Sequence, residues 1–241
     1  MKATHNDQRA ILEVQLLDDH LASLAKREAG LPETAALNTT VIKRNNVRDL
    51  RIAAETERAD VKRELARAEG DVEQIVTRIQ RDEARLNSGT GTAKELEQTQ
   101  HELVTLGLRR AELEEAELTI MVQVEGISNR INELSAEEEK FAAEIAELEI
   151  KRENALTLII NERNEVTSKR ESAAAPIAQE LKDLYAKLAA DNNGNGAALL
   201  VGNECKGCHL TINATEVARI STLAPDEVVR CEQCRCILVR G

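Results

Sequence analysis

The chain has 241 residues, a formal net charge of −11, 31% charged residues, one Phe, one Tyr and no Trp. That is too little aromatic volume for an ordinary globular core of this length; the Ala, Leu, Glu, Arg and Lys bias instead suits long helices that bury a narrow apolar seam. No run of about 18 apolar residues is present to span a membrane, and the polar start from Met1 to Ala10 lacks the apolar stretch of a secretory signal.

In chain order, Ile11, Val14, Leu17, Leu21 and Leu24 line one face of a short helix predicted over 4–29. Gly30 ends it, and Pro32 suits the first turn of a helix over 32–86. There, Val61, Leu65, Ala68, Val72, Ile75, Ile79 and Leu86 alternate by three and four residues, in a register that runs back through Ala54 and Val47 to Leu37. Residues 87–91 (Asn-Ser-Gly-Thr-Gly) break the helix, and Thr92 with Glu95 forms a capping box that opens a helix over 92–172. Along this helix Leu106, Leu113, Ile120, Ile127, Leu134, Phe141 and Leu148 recur every seventh residue, with a complementary line through Leu96, Leu103, Val124, Ile131, Ile145 and Ile159. A heptad seam sustained this far predicts a coiled coil, and so short a tip folds the two helices back as an antiparallel hairpin. The seam can be closed within one hairpin or shared with a second copy, so a homodimer stays open.

Charged residues interrupt the seam. Arg44, Arg51 and Arg58 fall on one core line, and Arg110, Glu117, Glu138 and Arg152 on the other, with Arg44 expected opposite Glu138. Long side chains at such positions are expected to snorkel out of the seam rather than pair. Gly107 and Gly126 mark places for a bend or a close approach. After Pro176, a last short helix over 177–190 carries Ile177, Leu181, Leu184, Tyr185 and Leu188. It is expected to pack against the first helix and form a base for the C-terminal region, completing a helical region over 1–190.

Residues 191–196 (Asp-Asn-Asn-Gly-Asn-Gly) read as a linker, and residues 197–241 as a separate small module. Cys205-Lys206-Gly207-Cys208 and Cys231-Glu232-Gln233-Cys234 are two Cys-x-x-Cys turns separated by 22 residues. Each turn presents two thiolates to one face of an ion, and two turns complete the closed tetrahedral shell of one structural Zn²⁺, with Cys205, Cys208, Cys231 and Cys234 as ligands. Without a secretory signal the protein is expected in the cytoplasm, where thiols stay reduced and metal binding is favoured over disulfides. Short strands at 197–201, 228–229 and 237–239 and a short helix opened by Asn213 complete a zinc ribbon. So few residues depend on the metal for much of their folding free energy. Cys236 is the odd cysteine. It competes with Cys234 as fourth ligand, but Cys-x-x-Cys matches the first turn better. His209, next to Cys208, is a candidate alternate ligand, but four thiolates already complete the shell and it is read as exposed or hydrogen-bonded; His5, His20 and His101 are read as surface residues.

A closed Cys₄ shell leaves no open metal position, and no phosphate loop or nucleophile–base cluster accompanies it, so no catalytic residue and no small-molecule substrate is predicted. Lys206, Arg219, Arg230, Arg235 and Arg240 are the candidate nucleic-acid contacts. Five carboxylates balance them within 203–241, and the ribbon contains no aromatic residue on which a base could stack. The acidity lies in the helical region, which repels phosphate backbones.

This order of parts resembles a bacterial family of coiled-coil proteins with a C-terminal C4-type zinc ribbon, once filed as a domain of unknown function. The likeness is sharpest from Tyr185 through Cys208, at Val229–Cys234 and at Ile237–Val239, and its alanine- and arginine-rich style is similar to actinobacterial, mycobacterial members. Family members usually carry Gly-Arg after the last ligand, where this chain has Arg235-Cys236. The resemblance implies a mainly α protein, a long antiparallel hairpin with a zinc ribbon at its base, acting as an adaptor or chaperone. The expected function is therefore a non-enzymatic zinc-binding scaffold for protein partners, with a nucleic-acid-binding regulator acting through the ribbon as the alternative.

Overall fold

The computed structural model describes residues 1–240. Two compact units divide the chain: Ala35–Glu149, and Met1–Thr34 together with the chain from Ile150 onward. Two long helices supply the first unit, α2 (Pro32–Ser88) and α3 (Ala93–Ala174), after a shorter α1 (His5–Ala29). Between α2 and α3 the turn uses Gly89 at φ +65° and Gly91 at φ +144°, left-handed values that a side chain would disfavour. Thr92 and Glu95 then form the expected reciprocal cap: the Thr92 amide donates to Glu95 Oε2 (2.8 Å) and the Glu95 amide to Thr92 Oγ1 (3.4 Å). The Thr92 amide foremost, then the Thr92 hydroxyl, which donates to the same carboxylate oxygen (3.0 Å), hold the Glu95 carboxyl below its usual range.

Within Ala35–Glu149 the apolar seam follows the heptad lines. Leu37, Val47, Ala54, Leu106, Ile131 and Ile145 are buried, and the intervening members, Val61 to Leu86 on α2 and Leu113 to Leu148 on α3, are half-buried. One charged position departs from expectation: Glu138 accepts from Arg51 Nε (2.9 Å), one heptad further along α2 than Arg44, and Arg51 also reaches Glu55 (2.8 Å). Side chains on a helix lean toward its N-terminus. In an antiparallel pair both partners therefore lean toward residues of lower number, and contacts join positions with higher numbers than the backbone midpoint suggests. Arg51 is thus paired rather than snorkelled, whereas Arg110 is exposed and bonds Glu114 on its own helix. A Cβ at Gly107 or Gly126 would meet nothing within 4 Å, so neither glycine serves a close approach.

The other unit joins α1, the C-terminal part of α3, α4 (Gln179–Asp191) and a small sheet. Thr4 caps α1, accepting from the Asp7 amide (3.1 Å) while Asp7 accepts from the Thr4 amide (3.3 Å). Ile11 and Val14 of α1 share a core with Ile177, Leu181, Tyr185 and Leu188, so the first and last short helices pack together. The sheet contains β1 (Ala197–Val201), β2 (Glu204–Cys205), β3 (Val229–Arg230) and β4 (Ile237–Arg240), with α5 (Ala214–Thr222) between β2 and β3. Strand order is β2-β1-β4-β3; β1 runs parallel to β4, with Ala197 opposite Ile237, and the outer pairs are antiparallel. Strand alternation sorts the side chains: Ala197, Ile237 and Val239 join the helical core, while Ala198 and Leu238 face the cysteines.

Candidate metal centre

Both Cys-x-x-Cys segments fold into the same turn. The His209 amide donates to the Cys205 carbonyl (2.8 Å), and the Arg235 amide donates to the Cys231 carbonyl (2.9 Å). His209 at φ +58° and Arg235 at φ +64° occupy equivalent left-handed positions just after each pair. Gly207 is needed inside the first turn, because a Cβ there would lie 2.9 Å from the Ala198 Cβ on β1.

The turns converge their sulfurs. Cys205, Cys208, Cys231 and Cys234 place their Sγ atoms within 4.8 Å of one another, with Cys205–Cys234 and Cys208–Cys231 both at 3.9 Å. A tetrahedral shell with zinc–thiolate bonds of ~2.3 Å has edges of ~3.8 Å, which the two 3.9 Å pairs match, so the four sulfurs form a set suited to one zinc ion. Burial pushes the Cys208 thiol up to about 12 and also raises Cys231 and Cys236. Burial acts upward on Cys234 too, but the backbone amide of Cys236 and the neighbouring thiols outweigh it and leave Cys234 below its ordinary value. Ionising a buried thiol cluster requires a cation among the sulfurs.

Comparison with known proteins agrees with this geometry. Residues 14–193 match the CT398-like coiled coil hairpin domain, and residues 205–238 match the C4-type zinc ribbon domain. The chain belongs to the CT398-like hairpin family. An uncharacterized protein of Mycobacterium tuberculosis, Rv2229c, is 35% identical over 244 residues, covering 100% of this chain and 98% of its own. A solved Mycobacterium smegmatis structure, 32% identical, superposes with a TM-score of 0.90 over 100% of both chains. CT398 of Chlamydia trachomatis, 18% identical, shares the fold with a TM-score of 0.72 and 98% coverage of each chain. Cys205, Cys208, Cys231 and Cys234 hold one structural zinc ion, and with four thiolates the site carries a net charge of −2.

What anchors the ribbon of this CT398-like protein lies outside the cysteines. Gln15 of α1 is 3% exposed, and its Oε1 accepts from the amides of Gly196 (2.7 Å) and Ala197 (3.0 Å). Its Nε2 donates to Asp19 (2.8 Å) and to the Gly194 carbonyl (2.9 Å). Two turns earlier on the same face, buried Gln8 donates to the carbonyls of Ala3 and Pro225, both at 3.0 Å. The segment expected to be a linker is therefore tied down. Asn192 Nδ2 donates to the Cys234 carbonyl, and Asn195 Nδ2 to the Gly207 carbonyl (3.4 Å), so one asparagine grips each metal turn. Gly196 lies against the ring of Tyr185, where a Cβ would come within 2.6 Å. Tyr185 in turn donates its hydroxyl to Asp18 (2.8 Å), and burial first, then that bond, raises its pKa. Sequence reasoning missed the glutamines; the available signal was two amides seven residues apart on an otherwise apolar face.

The five ribbon cations do not share one role. Lys206 pairs with Glu204 (2.8 Å) and Arg219 with Glu216 (2.7 Å). Arg240 donates to four carbonyls, of Ile220, Leu223, Ala224 and Glu227, at 2.7–3.2 Å; it locks the end of α5 to β4. Arg230 and Arg235 have no carboxylate partner among the described residues and line a cleft of about 360 Å³ with Lys187, Asp191, Leu184 and Leu188. Arg219, Arg230 and Arg235 also line a second cleft, interleaved with Glu216, Glu227 and Glu232. His209 is exposed and 3.5 Å from Glu204, away from any ligand role. His20 meets Glu162 (2.9 Å), and His5 and His101 are exposed.

Proposed function

We propose that this protein is a non-enzymatic cytoplasmic adaptor whose hairpin docks protein partners and whose zinc ribbon is a rigid, metal-fixed module. The observation that carries the reading is a stripe on α3 that the seam does not use. Val104, Leu108, Leu118 and Val122 are 60–67% exposed, and their spacing places all four within one narrow face. Large apolar side chains aligned in this way mark an interaction surface rather than a solvated one. Four thiolates fill the metal's coordination, which agrees with a structural site rather than a catalytic one. No helix among the described residues is long and apolar enough to cross a membrane.

A second reading, nucleic-acid binding through the ribbon, rests on Arg230, Arg235 and Lys187 around one cleft. The lack of aromatics and the −2 charge of the zinc site weigh against it. Affinity capture with the full chain separates the two. Under the adaptor reading, captured proteins survive nuclease and are lost with Leu108→Glu/Leu118→Glu, while the variant keeps its helical circular dichroism. Partners that vanish on nuclease treatment and with Arg230→Ala/Arg235→Ala, but persist in the stripe variant, reverse the preference.

A further inference from the structure

We propose that Cys236 is a reserve zinc ligand that can take the place of Cys234, so that the ion is held through Cys205, Cys208 and Cys231 with either of two fourth thiolates. The chain has five cysteines, and all five share one buried cluster: four sulfurs converge on one another, and Cys236 flanks them beside Cys205 and Cys234. Cys236 is 0% exposed, and its Sγ lies 3.8 Å from Cys205 Sγ and 3.3 Å from Cys234 Sγ. The first distance equals the ~3.8 Å edge of a zinc–sulfur tetrahedron. The second is too short for two ligands of one tetrahedral shell, so Cys234 and Cys236 are alternatives rather than joint ligands.

Local backbone geometry holds this thiol beside the four ligand sulfurs. The Cys231 amide donates to the Cys236 carbonyl (2.9 Å), closing the second turn around the cluster, and Arg235 adopts its left-handed conformation between the two competing cysteines. Gly207 packs beside both sulfurs: a Cβ built there would lie 3.5 Å from Cys236 Sγ and 3.7 Å from Cys205 Sγ, within ordinary contact distance. In the exchange, Cys236 loses its thiol proton as Cys234 leaves the shell and accepts it across the 3.3 Å contact. One S–H bond breaks, one forms, and the site keeps four thiolates and its charge. Cys234 is half-buried and Cys236 wholly buried, so the exchange replaces the more accessible fourth ligand with a shielded one.

The full-length chain tests this through Cys234→Ser, Cys236→Ser, the double variant and Cys208→Ser. Zinc content and chelator competition give affinity, and Co²⁺ substitution reports the number of sulfur ligands. Each of Cys234→Ser and Cys236→Ser is expected to bind one ion, show a four-sulfur Co²⁺ spectrum and stay within about tenfold of the wild-type affinity. The double variant and Cys208→Ser should lose affinity by on the order of a hundredfold or more and show a sulfur-poor spectrum. The proposal is overturned if Cys234→Ser behaves like Cys208→Ser, including by failing to bind metal or fold its ribbon. It is equally overturned if adding Cys236→Ser to Cys234→Ser changes nothing.

Discussion

The hairpin unit and the ribbon-bearing unit achieve order by opposite means. Within Ala35–Glu149 the best-buried large side chains, Leu37, Leu106, Ile131 and Ile145, keep 6–7% exposure, and most of the seam is half-buried. In the ribbon, Cys205, Cys236, Ile237 and Leu238 are all at 0%. Two helices cannot cover both flanks of a shared seam, so the hairpin relies on many partial burials in series. The sheet has helices on one face and the metal cluster on the other, so a few residues are completely enclosed. Stability is distributed and redundant in the first region, and concentrated in single contacts in the second.

The sharpest way to break this contrast is to remove the metal. Chelation should cost the ribbon several kcal/mol, because structural zinc binding is coupled directly to folding. Near-complete helical circular dichroism should remain, since α2 and α3 draw on their own seam. Acidification should act in the same direction. Cys208 and Cys231 have raised pKa values, so protons compete well for these sulfurs and each fall in pH favours the thiol over the metal-bound thiolate. Zinc content should therefore be complete at neutral to mildly alkaline pH and fall as pH drops; content that held steady from about pH 8 to about pH 5 would contradict this sign.

Next in size are single contacts that hold the ribbon in its unit. Gly196→Ala drives a Cβ to 2.6 Å from the Tyr185 ring and should destabilise by about 3 kcal/mol, the upper range for overpacking. Gln15→Leu keeps the volume on α1 but leaves the amides of Gly196 and Ala197 without their acceptor; a loss of about 2–3 kcal/mol is expected from buried unsatisfied donors. Denaturant melts followed by tryptic cleavage at Lys187 and Lys206, the sites that flank Gly194, would register both. In the hairpin, Ile131→Ala should cost about 2 kcal/mol, the low end for such a truncation, because neighbouring seam positions are already partly wet. A loss there exceeding that of Gly196→Ala would erase the distinction between the two regions.

The same contrast explains what could be read from the residues alone. A heptad line states itself many times, so misreading one position changes little, and Leu106 through Leu148 fall where the period puts them. Cysteine spacing likewise declares its metal, because few chemistries need two thiolates two residues apart, twice. Single long-range contacts carry no such redundancy. Gln15 looks like one polar residue on an apolar face until Gly196 and Ala197, far along the chain, are found against it. Asn192 and Asn195 have linker composition, yet their side-chain amides are donors suited to the carbonyls of the two metal turns. Arg240 reads as a free cation because no sequence pattern reveals four carbonyls converging from the end of α5. Spacing makes Cys236 a competitor of Cys234 and no more, because its approach to both Cys205 and Cys234 depends on turn geometry that spacing does not encode.

The smallest expected effect tests the redundancy of the hairpin from the stabilising side. Gly107 and Gly126 lie inside α3, and a Cβ at either meets nothing within 4 Å. Neither has a left-handed backbone, so alanine fits the helix without strain and restricts the unfolded chain. Gly107→Ala and Gly126→Ala should each stabilise by about 0.5–1 kcal/mol, visible as a higher denaturation midpoint with an unchanged slope, and the two should add because they are more than five turns apart. If either alanine destabilised the isolated chain, the glycine would have to be serving a contact on the hairpin surface, such as a second copy packed against it. A concentration-dependent midpoint would then distinguish that interface from a local defect in the helix, and the hairpin would no longer be the region held by its own seam.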